Sequence, residues 1–176
     1  MLDYAKSILV PSNRHSVEKW AKQSVVLSDR ITEQSGPYNT KHYPYVKEVI
    51  ESIRDPRINK ISLCWASQTS KTTSFYIMLG YIIDQKPQPI LWVFPNQHLC
   101  KTFSYDRWMP FCRESDVINQ HIPKDKTGKI DSDRFTLQKQ EFYKCTMNLV
   151  GAGSSANVRS FPVSVLVLDA FLCSLP

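Results

Sequence analysis

The 176-residue sequence lacks any apolar run that could cross a membrane. Its longest, Phe75 to Ile83, is nine residues, against the roughly 18–20 a spanning helix needs. No basic, apolar, small-residue succession opens the chain as a secretory leader would. Paired cysteines are missing too. The five, at 64, 100, 112, 145 and 173, are odd in number and no two stand three apart. That excludes a disulfide framework and a thiolate zinc site, and a reducing, intracellular setting is expected. Cys64 lies in an apolar run and reads as a small buried thiol. The histidines at 15, 42, 98 and 121 are isolated and match no metal-ligand spacing. No internal repeat or low-complexity tract is visible.

What is present is ordinary globular composition, 42% hydrophobic and 22% charged, at the length of one domain. The net charge is +6, but it is spread out: residues 1–60 carry ten basic and seven acidic side chains, and residues 95–145 carry nine and seven. A polyanion partner is permitted by that charge without being argued by it.

The pattern along the chain alternates. Ser16 can cap a short helix through Ala21, and Gly36-Pro37 is a break that separates an N-terminal segment, 1–36, from a domain at 37–176. Val46, Val49, Ile50 and Ile53 recur at helical spacing until Asp55-Pro56 stops them. Residues 60–65 read as a short buried strand, 66–70 as a small-residue loop and 72–83 as an apolar helix. A strand over 90–94 follows, then helices over 97–103 and 108–113. Residues 121–134 are a polar loop. Strands are expected at 134–138, 145–150 and, fully buried, at 163–168, with a helical turn at 156–160. Strands alternating with helices imply an α/β domain with a mainly parallel sheet.

The chemistry gathers at two strand ends. Strand, small-residue loop, Lys71-Thr72 and helix make the layout of a phosphate-binding loop, in which backbone N–H groups face an anion and lysine reaches the outer phosphates. The hydroxyl after the lysine can ligate magnesium. Here the run is Trp65-Ala66-Ser67-Gln68-Thr69-Ser70-Lys71-Thr72, so both glycines of the usual G-x-x-x-x-G-K-[ST] are missing. Ser70 stands where the backbone often needs unusual dihedrals. About 100 residues on, the apolar run 163–168 ends in Asp169, placed to hold magnesium at the carboxyl end of a parallel strand. The next residue is Ala170, which cannot take a proton. A missing general base typically costs ~10²–10⁴-fold in rate. Glu141 and Asp133 show no partner and read as solvated, Trp92 and Phe94 as core, and Arg159 as a phosphate or DNA sensor or a helix-end charge.

These stretches resemble the ATPase half of a lambda-type phage terminase large subunit. Ser16 to Ala21 resembles the family's opening helix. Gly36-Pro37, Tyr43-Pro44-Tyr45 and Lys47 to Ile50 resemble the segment before the first strand, which contacts adenine in that family. Residues 66–72 resemble its divergent phosphate loop, Pro89 to Pro95 with Phe103-Ser104 its next strand and helix, and Gly151 to Ser160 leading to Asp169 its most diagnostic stretch. The departures are Ser70 for glycine, Trp65 for a basic residue, Val46 for glutamine, Ala170 for the catalytic glutamate, and an unfamiliar tail at 170–176.

The resemblance implies a P-loop NTPase-like, mainly parallel sheet flanked by helices and incomplete at its C-terminus. It implies ATP and magnesium as cofactors. Lys71 and Asp169 would be catalytic, Gln68, Thr69, Ser70, Lys71, Thr72, Tyr43 and Tyr45 would bind nucleotide, and Thr72 and Asp169 would hold the metal. The implied partners are viral double-stranded DNA, the small terminase subunit, the portal and, when the protein is intact, further copies of itself, in the host bacterial cytoplasm and with no membrane. A helicase-like translocase and a truncated, non-catalytic remnant are the competing readings. In the fold it resembles, a strand from beyond the Asp169 segment lies between strand 60–65 and strand 163–168. Without it two strands would face a gap, and a monomer of marginal stability is expected.

Overall fold

The computed structural model describes residues 16–27, 35–41, 43–66, 68–153 and 161–169. The chain begins with α1 (Val17–Ser24), capped where expected: the Ser16 hydroxyl accepts from the Lys19 N–H at 3.2 Å. It buries Val17, Trp20 and Ala21. Two short strands not evident from the sequence follow, β1 (Val26–Leu27) antiparallel to β2 (Gly36–Pro37). Helix α2 (Val46–Ser52) turns Val46 and Ile50 inward, as its spacing predicts. The 15-residue α3 (Lys71–Gln85) is buried on most sides, with Thr73, Ser74, Ile77, Leu79 and Ile83 among its covered residues. It spans about 22 Å at 1.5 Å per residue.

Strand β3 (Ile90–Phe94) falls where expected. The next two expected helices form one continuous run: α4 (Gln97–Phe103), a π-helical turn at Ser104–Trp108, and α5 (Met109–Glu114). The π turn is held from inside. Trp108 Nε1 donates to Gln140 Oε1 at 2.6 Å, and Gln140 Nε2 donates to Ser104 Oγ at 3.2 Å, all three residues being fully buried. A one-turn helix, α6 (Asp116–Asn119), precedes the polar loop. The strand expected over 134–138 starts later, as β4 (Lys139–Glu141), because Thr136 closes a turn: its N–H and hydroxyl both donate to the Lys139 carbonyl. Strands β5 (Thr146–Gly151) and β6 (Val165–Leu168) complete the main sheet.

The sheet order is β4-β5-β3-β6. Both neighbours of β3 run parallel to it, and β4 is antiparallel on the outer side of β5. The expected α/β class with a mainly parallel sheet is therefore present. One sheet face carries Trp92 and Phe94, stacked at 5.3 Å and packed with Phe103, Trp108 and Tyr76. Gly151 lets the end of β5 meet the start of α4, since a Cβ there would lie 2.4 Å from the Gln97 backbone nitrogen. Gly80 does the same for α3: a Cβ would lie 2.8 Å from Ile118 Cδ1 and 3.0 Å from Trp20 Cη2.

Two carboxylates pin the helices. Glu18 accepts from the Thr40 hydroxyl at 2.7 Å and pairs with Lys22 at 2.6 Å and Lys47 at 3.0 Å. These donors pull its pKa from the usual 4.5 to about 2. Asp84 accepts from Trp20 Nε1 at 2.8 Å and Gln85 Nε2 at 2.6 Å, and lies 2.8 Å from His121 Nε2. Burial pushes this carboxyl up, but the hydrogen bonds from His121, Gln85 and Trp20 hold it below its ordinary range.

Three further sequence readings are corrected by this fold. Residues 60–65 form no strand; Ile61 is 39% exposed and Cys64, read as buried, is exposed. The apolar pattern is there, but among the described residues no neighbouring strand pairs with it, and an extended segment needs one for its N–H and C=O groups. Strand β6 is not fully buried: Leu166 is 55% and Leu168 57% exposed, and only Val167 is covered. Glu141 is not solvated and alone, since Arg134 Nε lies 2.8 Å and Lys139 Nζ 2.7 Å from its carboxylate.

Candidate nucleotide site

The loop before α3 has the backbone that its sequence position predicts. Ser70, the residue preceding the helix, sits at φ 60°, ψ 20°, in the left-handed region, and Gln68 sits at φ 61°. Neither is glycine, so each costs ~1–2 kcal/mol of local strain. Two such residues within three positions are held only where surrounding contacts over-determine the backbone. Those contacts centre on Thr69. Its hydroxyl donates to the Ala66 carbonyl at 2.6 Å, and its own carbonyl accepts from the Tyr45 hydroxyl at 3.4 Å. The Ser70 carbonyl accepts from both the N–H and the hydroxyl of Ser74, each at 2.9 Å.

Helix α3 then opens with Lys71 and Thr72, both half-buried. The Ser70 side chain does not cap its N-terminus and no acidic residue lies in its first turn. The first-turn N–H groups of a helix have no partner within the helix. Among the described residues, the ion pairs leave the Lys71 ammonium without a carboxylate. The end of α3 is therefore positive, uncapped and flanked by a strained loop.

Asp169 continues β6 by one residue. Its N–H donates to the Val93 carbonyl at 3.0 Å, which fixes it at the carboxyl end of the parallel strands beside the β3–α4 turn. There Gln97 Oε1 accepts from the Gly151 N–H at 3.0 Å and Asn96 Oδ1 caps α4 at 2.9 Å. Tyr76, five residues past Lys71 in the same helix, is fully buried. Burial pushes its phenol well up; the Arg107 guanidinium pulls it partly back, and Cys112 and then Asp169 add to the rise.

The expected base-contacting tyrosines are placed unequally. Tyr43 is half-buried. Tyr45 is 49% exposed, which rules out core packing for it. It meets Trp65 edge-on, with ring centroids 5.4 Å apart and planes at 87°, and Tyr43 at 6.4 Å and 78°. The structure thus brings Tyr43, Tyr45, Trp65 and Thr69 together. The place of Trp65 in this group is missed by sequence reasoning, which sees there the end of a strand and the absence of a basic side chain. Ser67, Arg159 and Ala170 lie outside the described residues, as does the expected helical turn at 156–160.

A family model for the ATPase domain of the phage terminase large subunit gpA matches residues 32–171. The chain belongs to this family. The expected role, the ATPase domain that serves phage DNA packaging, is thereby met at the level of the family, and such a domain works with DNA and packaging machinery in general. No curated protein and no solved structure matches the chain. Among the described residues of this terminase domain no helix is long and apolar enough to cross a membrane.

Proposed function

We propose that residues 66–72 of this terminase domain are the phosphate site of a P-loop NTPase-like fold and that the chain binds magnesium-ATP there. The observation that carries the reading is the uncapped N-terminus of the 15-residue α3, opened by Lys71 and Thr72 and preceded by left-handed Ser70. Such an end offers N–H groups and a partial positive charge of about half a unit to an anion. Lys71 adds a full charge for the outer phosphates, and Gln68, Thr69 and Ser70 line the approach.

The donor set fits magnesium. The Thr72 hydroxyl and the Asp169 carboxylate are hard oxygens, and magnesium is usually held by one or two protein oxygens together with substrate phosphates and water. No group of three or more His, Cys, Asp or Glu gathers among the described residues, as that mode of binding permits. Magnesium, when bound, supplies neutralisation of the charge on the transferring phosphate. Lys71 stabilises the same charge from the protein side. The finer assignments of partners belong to this reading: viral double-stranded DNA, the small terminase subunit, the portal and further copies of the chain, in the host bacterial cytoplasm.

Ala170 favours a specific form of it, nucleotide binding without efficient hydrolysis. The test is steady-state ATP turnover with Ala170→Glu and Asp169→Ala. The expected result is negligible turnover in the wild-type chain and a gain on Ala170→Glu, within the ~10²–10⁴-fold range of a general base, abolished again by Asp169→Ala. Efficient wild-type turnover would overturn the assignment of Ala170 as the missing base.

A further inference from the structure

We infer that Tyr45 is a positioning residue for the phosphate loop, a brace that holds Thr69 and its left-handed neighbours Gln68 and Ser70 in a ligand-receptive shape from outside. The inference rests on the proposed phosphate site and gives Tyr45 a role other than contact with the base. One side chain, from the residue preceding α2, touches both ends of the loop. Its ring packs edge-on against Trp65, immediately before the loop, at 5.4 Å and 87°. Its hydroxyl donates to the carbonyl of Thr69, within the loop, at 3.4 Å. Thr69 stands between the two left-handed residues, Gln68 and Ser70. Its own hydroxyl is turned back onto Ala66 at 2.6 Å.

The energetics explain why such a brace is useful. Left-handed serine and glutamine are strained, so the loop has lower-energy backbone alternatives that would aim its N–H groups elsewhere. Where glycine occupies these positions the strain is absent. In this chain neither left-handed residue is glycine, and Ser70 stands at a glycine position of the phosphate-loop pattern; the Tyr45 contacts favour the receptive form instead. The hydrogen bond is long and half-exposed, so it is weak alone; the edge-to-face ring contact supplies the rest. A ligand bound only by the receptive form has its affinity reduced by the fraction of molecules not in that form. The brace raises that fraction without touching the ligand.

The test is a double-mutant cycle of Tyr45→Leu and Ser70→Gly, read by binding of magnesium-ATP and of inorganic tripolyphosphate. Tyr45→Leu is expected to raise both dissociation constants about fivefold, the size of a lost aromatic contact and weak hydrogen bond. Tyr45→Phe, which keeps the ring, is expected to cost about twofold. In the Ser70→Gly background, where one of the two left-handed positions no longer carries strain, the loss on Tyr45→Leu is expected to shrink to about twofold. An equal loss in both backgrounds would overturn the brace. So would a loss confined to ATP, which would make Tyr45 a base-stacking residue. The Ser70 backbone chemical shifts in the nucleotide-free protein separate this inference from the reading beneath it. Tyr45→Leu is expected to move them away from left-handed values, and unchanged shifts would overturn the brace. If the wild-type chain binds neither anion while the shifts still move, the phosphate-site reading fails and the brace stands.

Discussion

Strands β3 and β6 are neighbours in one sheet, parallel, and built from the same kind of residue, yet they live in different surroundings. Ile90-Leu91-Trp92-Val93-Phe94 is covered at every position. Val165-Leu166-Val167-Leu168 is covered at one. The difference is neighbours. Strand β3 has a strand on each side and the aromatic rings of α3, α4 and the π turn on one face. Among the described residues β6 is the last strand of its sheet, and residues 58–66, which also carry Ile58, Ile61, Leu63 and Trp65, join no strand. Apolar content states what a segment would bury; the partners around it decide what it does bury. An apolar strand at a sheet edge is also a template for pairing with another strand.

The contrast can be broken most strongly by truncating matched leucines. Leu149→Ala, at a fully buried position of β5, should cost ~2–5 kcal/mol of stability. Leu166→Ala, at 55% exposure, should cost less than ~1 kcal/mol. Urea melts of the two variants check this, and equal losses would show that β6 is covered in solution. Next in size is the loop before α3. Ser70→Gly should raise stability by roughly 1 kcal/mol by removing left-handed strain, and Ser70→Val should lower it by a similar amount; thermal denaturation reads both.

The smallest effect belongs to the well-tied side, where Glu18 of α1 and Glu51 of α2 both have partners. Glu18 has a folded pKa of about 2 against its usual 4.5. A depressed acid contributes stability that is present above pH 4.5 and lost as pH falls through 2. Glu18→Gln should therefore lower stability at neutral pH and flatten the acid decline between those values, as followed by urea midpoints across pH. Parallel acid limbs in the two proteins would mean that the Glu18 pairs do not form in solution.

Much of this architecture is legible in the residues. The strand at 90–94 and the helices at 46–52 and 71–85 follow from apolar period and proline stops, and the left-handed Ser70 follows from its place before Lys71 in a phosphate-loop pattern. What could not be read depends on contacts distant in sequence. The π turn at 104–108 is held by Gln140, more than 30 residues on, and a buried glutamine carries no local signal. The Tyr45–Trp65–Thr69 contact joins positions with no shared periodicity. The missing pairing of residues 60–65 concerns a partner, which a single segment cannot announce.

The most direct test of the central claim is calorimetric titration of the purified chain with magnesium-ATP, beside Lys71→Ala. An ammonium at the mouth of α3 that neutralises the phosphates predicts measurable binding by the wild-type chain, weakened at least ~tenfold, or ~1.4 kcal/mol, in the variant. Equal affinity in the two proteins would contradict it.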